Sequence, residues 1–431
     1  MNKTQTFFLI AIGVNLFYLV LTFIFFYFFD SVLMNIDNND YLSFHNAGSI
    51  VLEDLPSLYD SSYNRISYLF PFRYFPLSAY FFVPFSLLGI KVGYFVFQIF
   101  NFFLNFINIY LIFKIVQIYK NLDPDLDLNY KLNDLRYIYN KSENESILHQ
   151  NAIYLIMLPQ FMNYFLGQIN ILVTFFILAS LFYFLKGGSR NDFLGGLLLG
   201  LGILIKPTLV LIIPFLIPLQ YMRERKKFSF QLKQTILRLS GPIILIAISG
   251  IFFLIYPEML ADFIEVNLAG KYTYSIGRDL EINPSFSLTR IVIIFFELVG
   301  LNFSNFIVFI VITFLFLLPL YFLFTFSTNQ PKKLINGFFI GILIISIVYF
   351  DSWPHHLVVL APFLILFILL NKDFKHLTFI KYIHYLLATI ILGFWVIFYL
   401  TYEFFPFNIG GLVLLILLYY NIFIYYRNRL K

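Results

Sequence analysis

Two carboxylates in a short polar segment are the residues of this chain best placed for acid–base chemistry. Asp37 and Asp40 begin the sequence DNNDYLSFHNAGSIVLEDLPSLYD, residues 37–60, which lies between long apolar runs. A carboxylate within hydrogen-bond reach of an alcohol can take its proton as a general base. Because both carboxylates lie in the same segment, the sequence alone does not separate them. A simpler interpretation is that Asp40 caps the following helix, with Ser43 as a second candidate cap.

The residues after Asp40 predict the helix that would present this carboxylate. Four apolar residues recur there at helical spacing: Phe44, Ala47, Ile50 and Val51. This spacing predicts a helix over residues 43–52 that lies near the outer membrane surface, with its apolar side toward lipid or protein. A carboxylate at the head of such a helix would face water and lipid headgroups together.

The composition of the chain is that of a polytopic membrane protein. Of its 431 residues, 60% are hydrophobic and only 12% are charged, about half the charged fraction of a soluble domain. The bilayer core takes roughly 20 apolar residues per helix, so the chain has room for on the order of a dozen spans. We therefore expect an all-α polytopic protein that forms one integral membrane domain over residues 1–431. The net charge of +6 fits cationic loops beside an anionic leaflet, so no nucleic acid is expected as a partner.

Twelve apolar runs are interpreted as membrane spans. They cover 7–29, 92–118, 152–166, 171–185, 193–205, 208–221, 236–255, 306–326, 334–350, 357–370, 382–400 and 409–426. The segment 67–90 is also apolar, but its three prolines favour a juxtamembrane or re-entrant segment over a straight span. The domain would then have extracytoplasmic loops over 30–90 and 256–305 and a cytoplasmic loop over 119–150.

The basic residues predict the orientation of these spans. With a cytoplasmic N-terminus, 22 of the 29 Lys and Arg residues lie on the cytoplasmic side and the other 7 on the extracytoplasmic side. The clusters at 223–227 and 332–333 are then cytoplasmic, as is the terminal sequence RNRLK. If residues 67–90 also crossed the membrane, every later segment would change sides, and these basic clusters would become extracytoplasmic. We therefore predict that both termini are cytoplasmic and that residues 37–60 face the extracytoplasmic side.

In this topology, polar residues from distant parts of the chain gather on the extracytoplasmic side. They are Asp40, Arg73, Gln168, Asn170, Lys206, Asn283, Ser285, Arg290, His355 and His356. Ionisable groups at the ends of membrane helices are typical of a binding or catalytic site. Each has a simpler explanation as well, because lysines snorkel to the interface, amides bond across helices and histidines join aromatic belts. Asn283 and Ser285 could also start a helix. The conjunction of so many polar groups on one side favours a site.

These residues lie in motifs that resemble those of glycosyltransferase family 87. The motifs are DYLSFHNAG at 40–48 with LYD at 58–60, FRYFPLSAYFFVPFSLL at 72–88, GQIN at 167–170, GGLLLGLGILIKPTLVLIIP at 195–214, NPSFSLTR at 283–290 and SWPHHLVVLAP at 352–362. The chain departs from the family pattern at Phe75 and Leu209, where the family often has proline. The loop over 119–150 is also longer than the resemblance leads us to expect.

The resemblance implies a GT-C-type fold with about twelve transmembrane helices and a juxtamembrane helix in the first extracytoplasmic loop. It implies an inverting membrane glycosyltransferase whose site faces the extracytoplasmic side. The enzyme would move a mannosyl or other hexosyl unit from a polyprenyl- or dolichyl-phosphate sugar donor to a lipid-linked or glycan acceptor. Membrane lipids would surround it.

The resemblance also implies roles for the residues of the site. Asp40 would be the general base, with Tyr41 directly after it and Asp37 as the alternative carboxylate. Charge compensation for the leaving phosphate would come from a set of cationic residues, which comprises Arg73, Lys206, Arg290, His355 and His356. No metal or other cofactor is expected, because two adjacent histidines do not share a helix face and the chain has no cysteine.

A transporter or flippase of a lipid-linked sugar is the alternative function. Twelve spans and interrupted helices suit that class too. Transporters often consist of two similar halves, and no motif is shared between residues 1–215 and 216–431. A non-catalytic scaffold would not need polar motifs gathered on one side.

Overall fold

The computed structural model describes most of the chain. The described residues are 2–28, 39–60, 72–122, 142–217, 219–222, 227–267, 285–301, 303–326, 330–350, 352–372, 374–389, 397, 400–401 and 408–430. Helices of eight or more residues within these ranges are numbered α1 to α15.

The fold is helical almost throughout the described residues. The helices are α1 (Lys3–Phe28), α2 (Tyr41–Glu53), α3 (Ile90–Leu122), α4 (Ser142–Ile156), α5 (Leu158–Phe165), α6 (Asn170–Lys186), α7 (Ser189–Ile205), α8 (Leu232–Ile255), α9 (Pro257–Asn267), α10 (Leu288–Leu298), α11 (Asn305–Thr325), α12 (Gln330–Val348), α13 (Leu357–Leu370), α14 (Leu377–Thr389) and α15 (Ile409–Leu430). Their apolar composition makes the chain a multi-pass membrane protein.

Five of the described helices are long and apolar enough to cross a membrane. They are α1, α3, α8, α11 and α15, and the bent pair formed by α5 and α6 is a sixth candidate span. The buried core lies around α12 and α13, since nearly every residue of α13 is inaccessible to solvent. Long helices at the periphery, such as α1 and α8, expose many apolar side chains as lipid-facing helices do.

The predicted helix after Asp40 is confirmed. Helix α2 covers residues 41–53, and Phe44, Ala47, Ile50 and Val51 are all buried, so their side of the helix packs against protein. Gly48 lies against the short helical turns of residues 80–86, where an added Cβ would come within 2.8 Å of the Phe82 backbone. Helix α2 is therefore fixed to the proline-containing segment that follows it in sequence.

The proline-containing segment is not a straight helix. After an extended start at residues 72–75, it forms two four-residue α-helices, Pro76–Ala79 and Val83–Ser86, joined by a 3-10 turn at Tyr80–Phe82. Proline lies at the start of both helices, where its missing N–H is tolerated. This broken course agrees with the expectation that the segment is not a regular span.

Two predicted spans were wrong in outline. The run over 152–166 contains a break at Met157, whose extended backbone separates α4 from α5. The run over 208–221 is helical only as far as Leu216 and then enters a strand, because Leu219–Met222 pairs antiparallel with Lys227–Phe230. A proline at position 218 and one at 214 work against a continuous helix there. This hairpin is an exception to the all-α expectation.

Candidate active site

The Asp40 carboxylate is held by the turn between α5 and α6. The backbone N–H of Asp40 donates to the Leu166 carbonyl at 3.0 Å, and its Oδ2 accepts a hydrogen bond from Gln168 Nε2. Asp40 is the residue before α2, yet its side chain makes no capping hydrogen bond to that helix. The simpler interpretation of Asp40 as a helix cap is therefore not what the structure shows.

Asn39 fixes the same turn from the other side. Its Nδ2 donates to the Phe165 carbonyl at 3.1 Å, while its Oδ1 accepts from the Tyr41 N–H at 3.0 Å. Gly167 has φ +66°, a conformation that favours glycine, and a Cβ at this position would lie 2.6 Å from Asn39 Oδ1. The start of α2 and the α5–α6 turn can approach this closely only because residue 167 has no side chain.

Lys206 lies on the other side of the same turn. This residue directly follows α7, and its Nζ donates to Asn170 Oδ1 at 2.8 Å. Burial lowers the pKa of Lys206 to about 7, so a negative charge beside it would favour the protonated form. Gln168 and Asn170, two residues apart in the GQIN motif, thus hold a carboxylate and an amine at neighbouring positions.

A row of amides on α3 supports the break between α5 and α6, where the helix direction bends by 119°. The row consists of Gln98, Asn101, Asn105 and Asn108. Gln98 Nε2 donates to the Tyr164 carbonyl at 3.0 Å, and Asn101 Nδ2 donates to the Gln168 carbonyl at 3.5 Å. Asn105 Nδ2 donates to the Tyr164 hydroxyl at 2.8 Å, and Asn108 Nδ2 donates to the Ile171 carbonyl at 3.2 Å. A break in a membrane helix is tolerated where side chains bond the freed backbone groups. The α3 amides do this and so position Gln168 and Asn170.

The histidine pair lies in a 3-10 turn just before α13. The rings of His355 and His356 are 4.5 Å apart, and this turn packs on α5. Burial lowers the pKa of both histidines well below the usual value, and the charge of Lys206 lowers it further. Both imidazoles are therefore neutral near pH 7, and Lys206 lies close enough to act on both.

Tyr74 connects the carboxylate with the histidine turn. Burial raises the pKa of Tyr74, nearby Tyr349 and Asp40 raise it further, and Arg73 opposes them. The ring of Tyr349 in turn lies 6.3 Å from that of His356. Groups from residues 40, 73–74, 349 and 356 are thus close to one another.

Ser285 joins its segment to the residues just before the histidine turn. Its hydroxyl donates to the Phe350 carbonyl at 2.7 Å and accepts from the Ser352 N–H at 2.9 Å. The next residue, Phe286, donates its N–H to the Ser352 carbonyl at 3.0 Å. Arg290 follows in the first turn of α10 and is only 2% exposed. Ser285 is therefore placed to hold the loop that carries the histidines.

Tyr41 has a different position from the other candidates. Its side chain is fully buried between α2 and α3, with its ring 5.3 Å from Tyr94 and 5.6 Å from Phe97. It therefore helps to fix the start of α2. Asp37 and Asn283 lie outside the described residues.

Sequence reasoning missed several residues of this region. Tyr74 and Tyr349 were overlooked, although Tyr74 lies within the motif that begins at residue 72. Asn39 was overlooked as well, beside the carboxylate that was singled out. The α3 amides carry a visible signal, because their spacing of three, four and three residues puts them on one side of a helix.

No metal centre is formed by the described residues. Among them, no group of three or more His, Cys, Asp or Glu residues is arranged to hold a metal ion. Asp351, next to the histidine motif, lies outside the described ranges.

Comparison with known proteins gives one family. No curated protein matches the chain. The model of glycosyltransferase family 87 matches residues 72–228, a region that contains Arg73, the GQIN motif and Lys206. Over these residues the chain is similar to glycosyltransferase family 87, and its apolar helices are those of a membrane protein.

Proposed function

We propose that this protein transfers a mannosyl or other hexosyl unit from a polyprenyl-phosphate or dolichyl-phosphate sugar to a lipid-linked or glycan acceptor. Transfer takes place on the extracytoplasmic side, within a GT-C-type fold of about twelve membrane spans. Asp40 is the general base, the anomeric centre is inverted, and no metal takes part.

The observation that carries this proposal is the arrangement at the GQIN turn. Gln168 binds the carboxylate of Asp40, and Asn170 binds the amine of Lys206. Transfer from a lipid phosphate needs a base for the acceptor and positive charge for the leaving group. One turn presents both groups, each through its own amide.

The acceptor hydroxyl is activated at Asp40. As its oxygen attacks the anomeric carbon, the proton passes to the carboxylate, and the bond from that carbon to the phosphate oxygen breaks. Gln168 orients the carboxylate through its hydrogen bond to Oδ2. A single displacement of this kind inverts the anomeric centre, and a β-linked donor gives an α-linked product.

The departing phosphate is received by cations and by neutral hydrogen-bonding groups. Lys206 becomes fully protonated when the phosphate binds, because a neighbouring negative charge raises the pKa of an amine. Arg73 adds a permanent positive charge near the carboxylate end of the site. His355 and His356 are neutral and serve as hydrogen-bond partners.

The proposal is tested with radiolabelled polyprenyl-phosphate sugars in native membranes. Asp40→Asn keeps the shape of the side chain but removes its basicity, so we expect a loss of transfer of about 10²- to 10⁴-fold with donor binding largely retained. Lys206→Ala should weaken donor binding as well as rate. Glu53→Gln, a change of the exposed carboxylate at the other end of α2, is the matched control and should behave like the wild type.

Two outcomes would contradict the proposal. Transfer by Asp40→Asn at the wild-type rate would exclude Asp40 as the base. If the wild-type protein transferred no sugar but moved lipid-linked sugars across vesicle membranes, the chain would act as a flippase.

A further inference from the structure

Tyr74 lies between the carboxylate and the amine of the candidate active site. Its ring centroid is 5.7 Å from that of Phe44, which follows Asp40 by one turn of α2. The backbone N–H of the residue after Tyr74 donates to the Leu204 carbonyl at 3.0 Å, and Leu204 comes two residues before Lys206. The extended segment that carries Tyr74 thus joins the start of α2 to the end of α7.

The position of Tyr74 is fixed on several sides. The hydroxyl of Tyr59 donates to the Tyr74 carbonyl at 2.5 Å, and the ring of Phe72 lies edge-on at 5.2 Å. Together with Phe44, these neighbours hold the backbone and the ring in one place. A side chain that is already ordered loses little freedom when a ligand binds to it.

The hydroxyl group is the free end of this fixed side chain. Within the described part of the chain, no group forms a hydrogen bond with the Tyr74 hydroxyl, and its oxygen is not among the fully buried polar atoms. The hydroxyls of Tyr94 and Tyr164, in contrast, both donate to protein oxygens. A tyrosine hydroxyl offers one donor and acceptor lone pairs. At Tyr74 these are available to a ligand.

The Tyr74 hydroxyl is an uncharged group among charged ones. Burial raises the pKa of Tyr74, nearby Tyr349 and Asp40 raise it further, and Arg73 opposes them. The phenol is therefore protonated at neutral pH and can both donate and accept a hydrogen bond. Such a group suits a neutral hydroxyl, whereas a phosphate is better served by the cations Arg73 and Lys206.

We propose that the Tyr74 hydroxyl binds a hydroxyl group of the sugar that is transferred. This inference rests on the proposed function and adds a contact to it. In a single displacement, the base and the leaving phosphate lie on opposite sides of the anomeric carbon, so the sugar lies between Asp40 and Lys206. The segment of Tyr74 lies between the same two residues.

This contact would make Tyr74 a specificity residue for the sugar. A site that hydrogen-bonds a substrate hydroxyl rejects an analogue that lacks this group, because the protein group is then left without its partner. Deoxy sugars therefore report directly on the contact. A residue that only supports the fold would not distinguish one deoxy sugar from another.

The test measures kcat/KM of the purified full-length protein in lipid vesicles with a series of polyprenyl-phosphate hexoses. One donor carries the complete hexose, and each of the others lacks a single hydroxyl group. Tyr74→Phe removes only the hydroxyl. Tyr80→Phe, at an exposed tyrosine of the same proline-containing segment, is the matched control. Tyr59→Phe removes the hydrogen bond to the Tyr74 backbone and shows what a change of position alone does.

We expect Tyr74→Phe to lower kcat/KM for the complete donor by up to about tenfold, the effect of one hydrogen bond between uncharged groups. One deoxy donor should show a similar loss with the wild type and no further loss with Tyr74→Phe, because the contact is then already absent. Tyr80→Phe should match the wild type with every donor. Tyr59→Phe should lower transfer from every donor by the same factor.

Other results would overturn the proposal. Losses of Tyr74→Phe that add to the loss of every deoxy donor would mean that its hydroxyl does not contact the sugar, as would a wild-type kcat/KM with the complete donor. A lower unfolding temperature in Tyr74→Phe, with Tyr80→Phe unchanged, would assign the hydroxyl to the fold. If the wild type transferred no hexose at all, the proposed function itself would fail, and this inference with it.

Discussion

The two ends of the helix bundle each contain a carboxylate and cations, but the charges are arranged differently. At the end that contains the start of α7, Asp192 is paired directly with Arg238 of α8. At the active-site end, the described contact of Lys206 is with Asn170, and Asp40 is bonded to Gln168. A closed ion pair satisfies both charges and serves the structure. In the proposed mechanism, Asp40 and Lys206, each bound by a neutral amide, act on the substrate.

The largest effect expected from this difference is on stability. Asp192→Ala leaves the charge of Arg238 buried without its partner, which costs about 3–5 kcal/mol. The double variant Asp192→Asn with Arg238→Gln should recover most of that loss, because neither residue is then charged. Thermal unfolding of the purified protein in detergent measures the loss of stability in the single variant and its recovery in the double variant.

Asp40→Asn provides the contrast for that experiment. The proposed role of Asp40 is in catalysis, so its variant should unfold within about 1 kcal/mol of the wild type. Equal destabilisation of the Asp40 and Asp192 variants would remove the distinction between the two ends.

Much of the active-site end could be predicted from the sequence, because motifs mark it. The positions of Asp40, Gln168 and Lys206 at the ends of apolar runs mark them as candidates. In the structure, Gln168 donates to the Asp40 carboxylate, and Lys206 donates to Asn170 of the same turn. The helix after Asp40 was predicted from apolar spacing alone. Local periodicity and polar interruptions are enough for such predictions.

The partner of each polar group could not be predicted. Gln168 and Asn170 contact a carboxylate and an amine at a break where the helix direction bends by 119°, and no local pattern gives that bend. The ion pair of Asp192 and Arg238 joins α7 and α8. The hairpin of residues 219–230 lies between these helices in sequence, and the apolar pattern predicts a span over its first strand. Long-range partners follow from packing, which a single sequence does not specify.

Two glycines at opposite ends of α6 sharpen the comparison. Gly167 and Gly187 have almost the same φ, +66° and +67°, but only Gly167 is crowded, by Asn39 and Tyr41. Gly167→Ala should push α2 away from the turn and misplace Asp40. A displacement of about 1 Å can lower a rate by about 10²-fold, and we expect a loss of that order in the transfer assay.

Gly187→Ala is the matched control for this change. It also places an alanine at a positive φ, which is strained, but it has no heavy atom within 4 Å of the new Cβ. Transfer should stay close to the wild-type rate while the unfolding temperature falls slightly. Similar losses of transfer in both variants would mean that backbone strain, and not the contact with α2, controls the site.

The smallest expected effect is the pH dependence of donor binding at Lys206. Burial lowers the pKa of this amine to about 7, and a bound phosphodiester, which stays anionic over this range, raises it again. Protonated Lys206 is the form that binds. Donor affinity should therefore be constant below the pKa of Lys206 in the protein without donor and fall by up to about tenfold per pH unit above it.

Lys206→Arg should remove this slope, since arginine stays charged, whereas Lys91→Arg, a change of an exposed lysine, should keep it. Binding of a labelled polyprenyl-phosphate sugar to purified protein between about pH 6 and 9 measures the slope, and a flat wild-type profile would separate Lys206 from the phosphate.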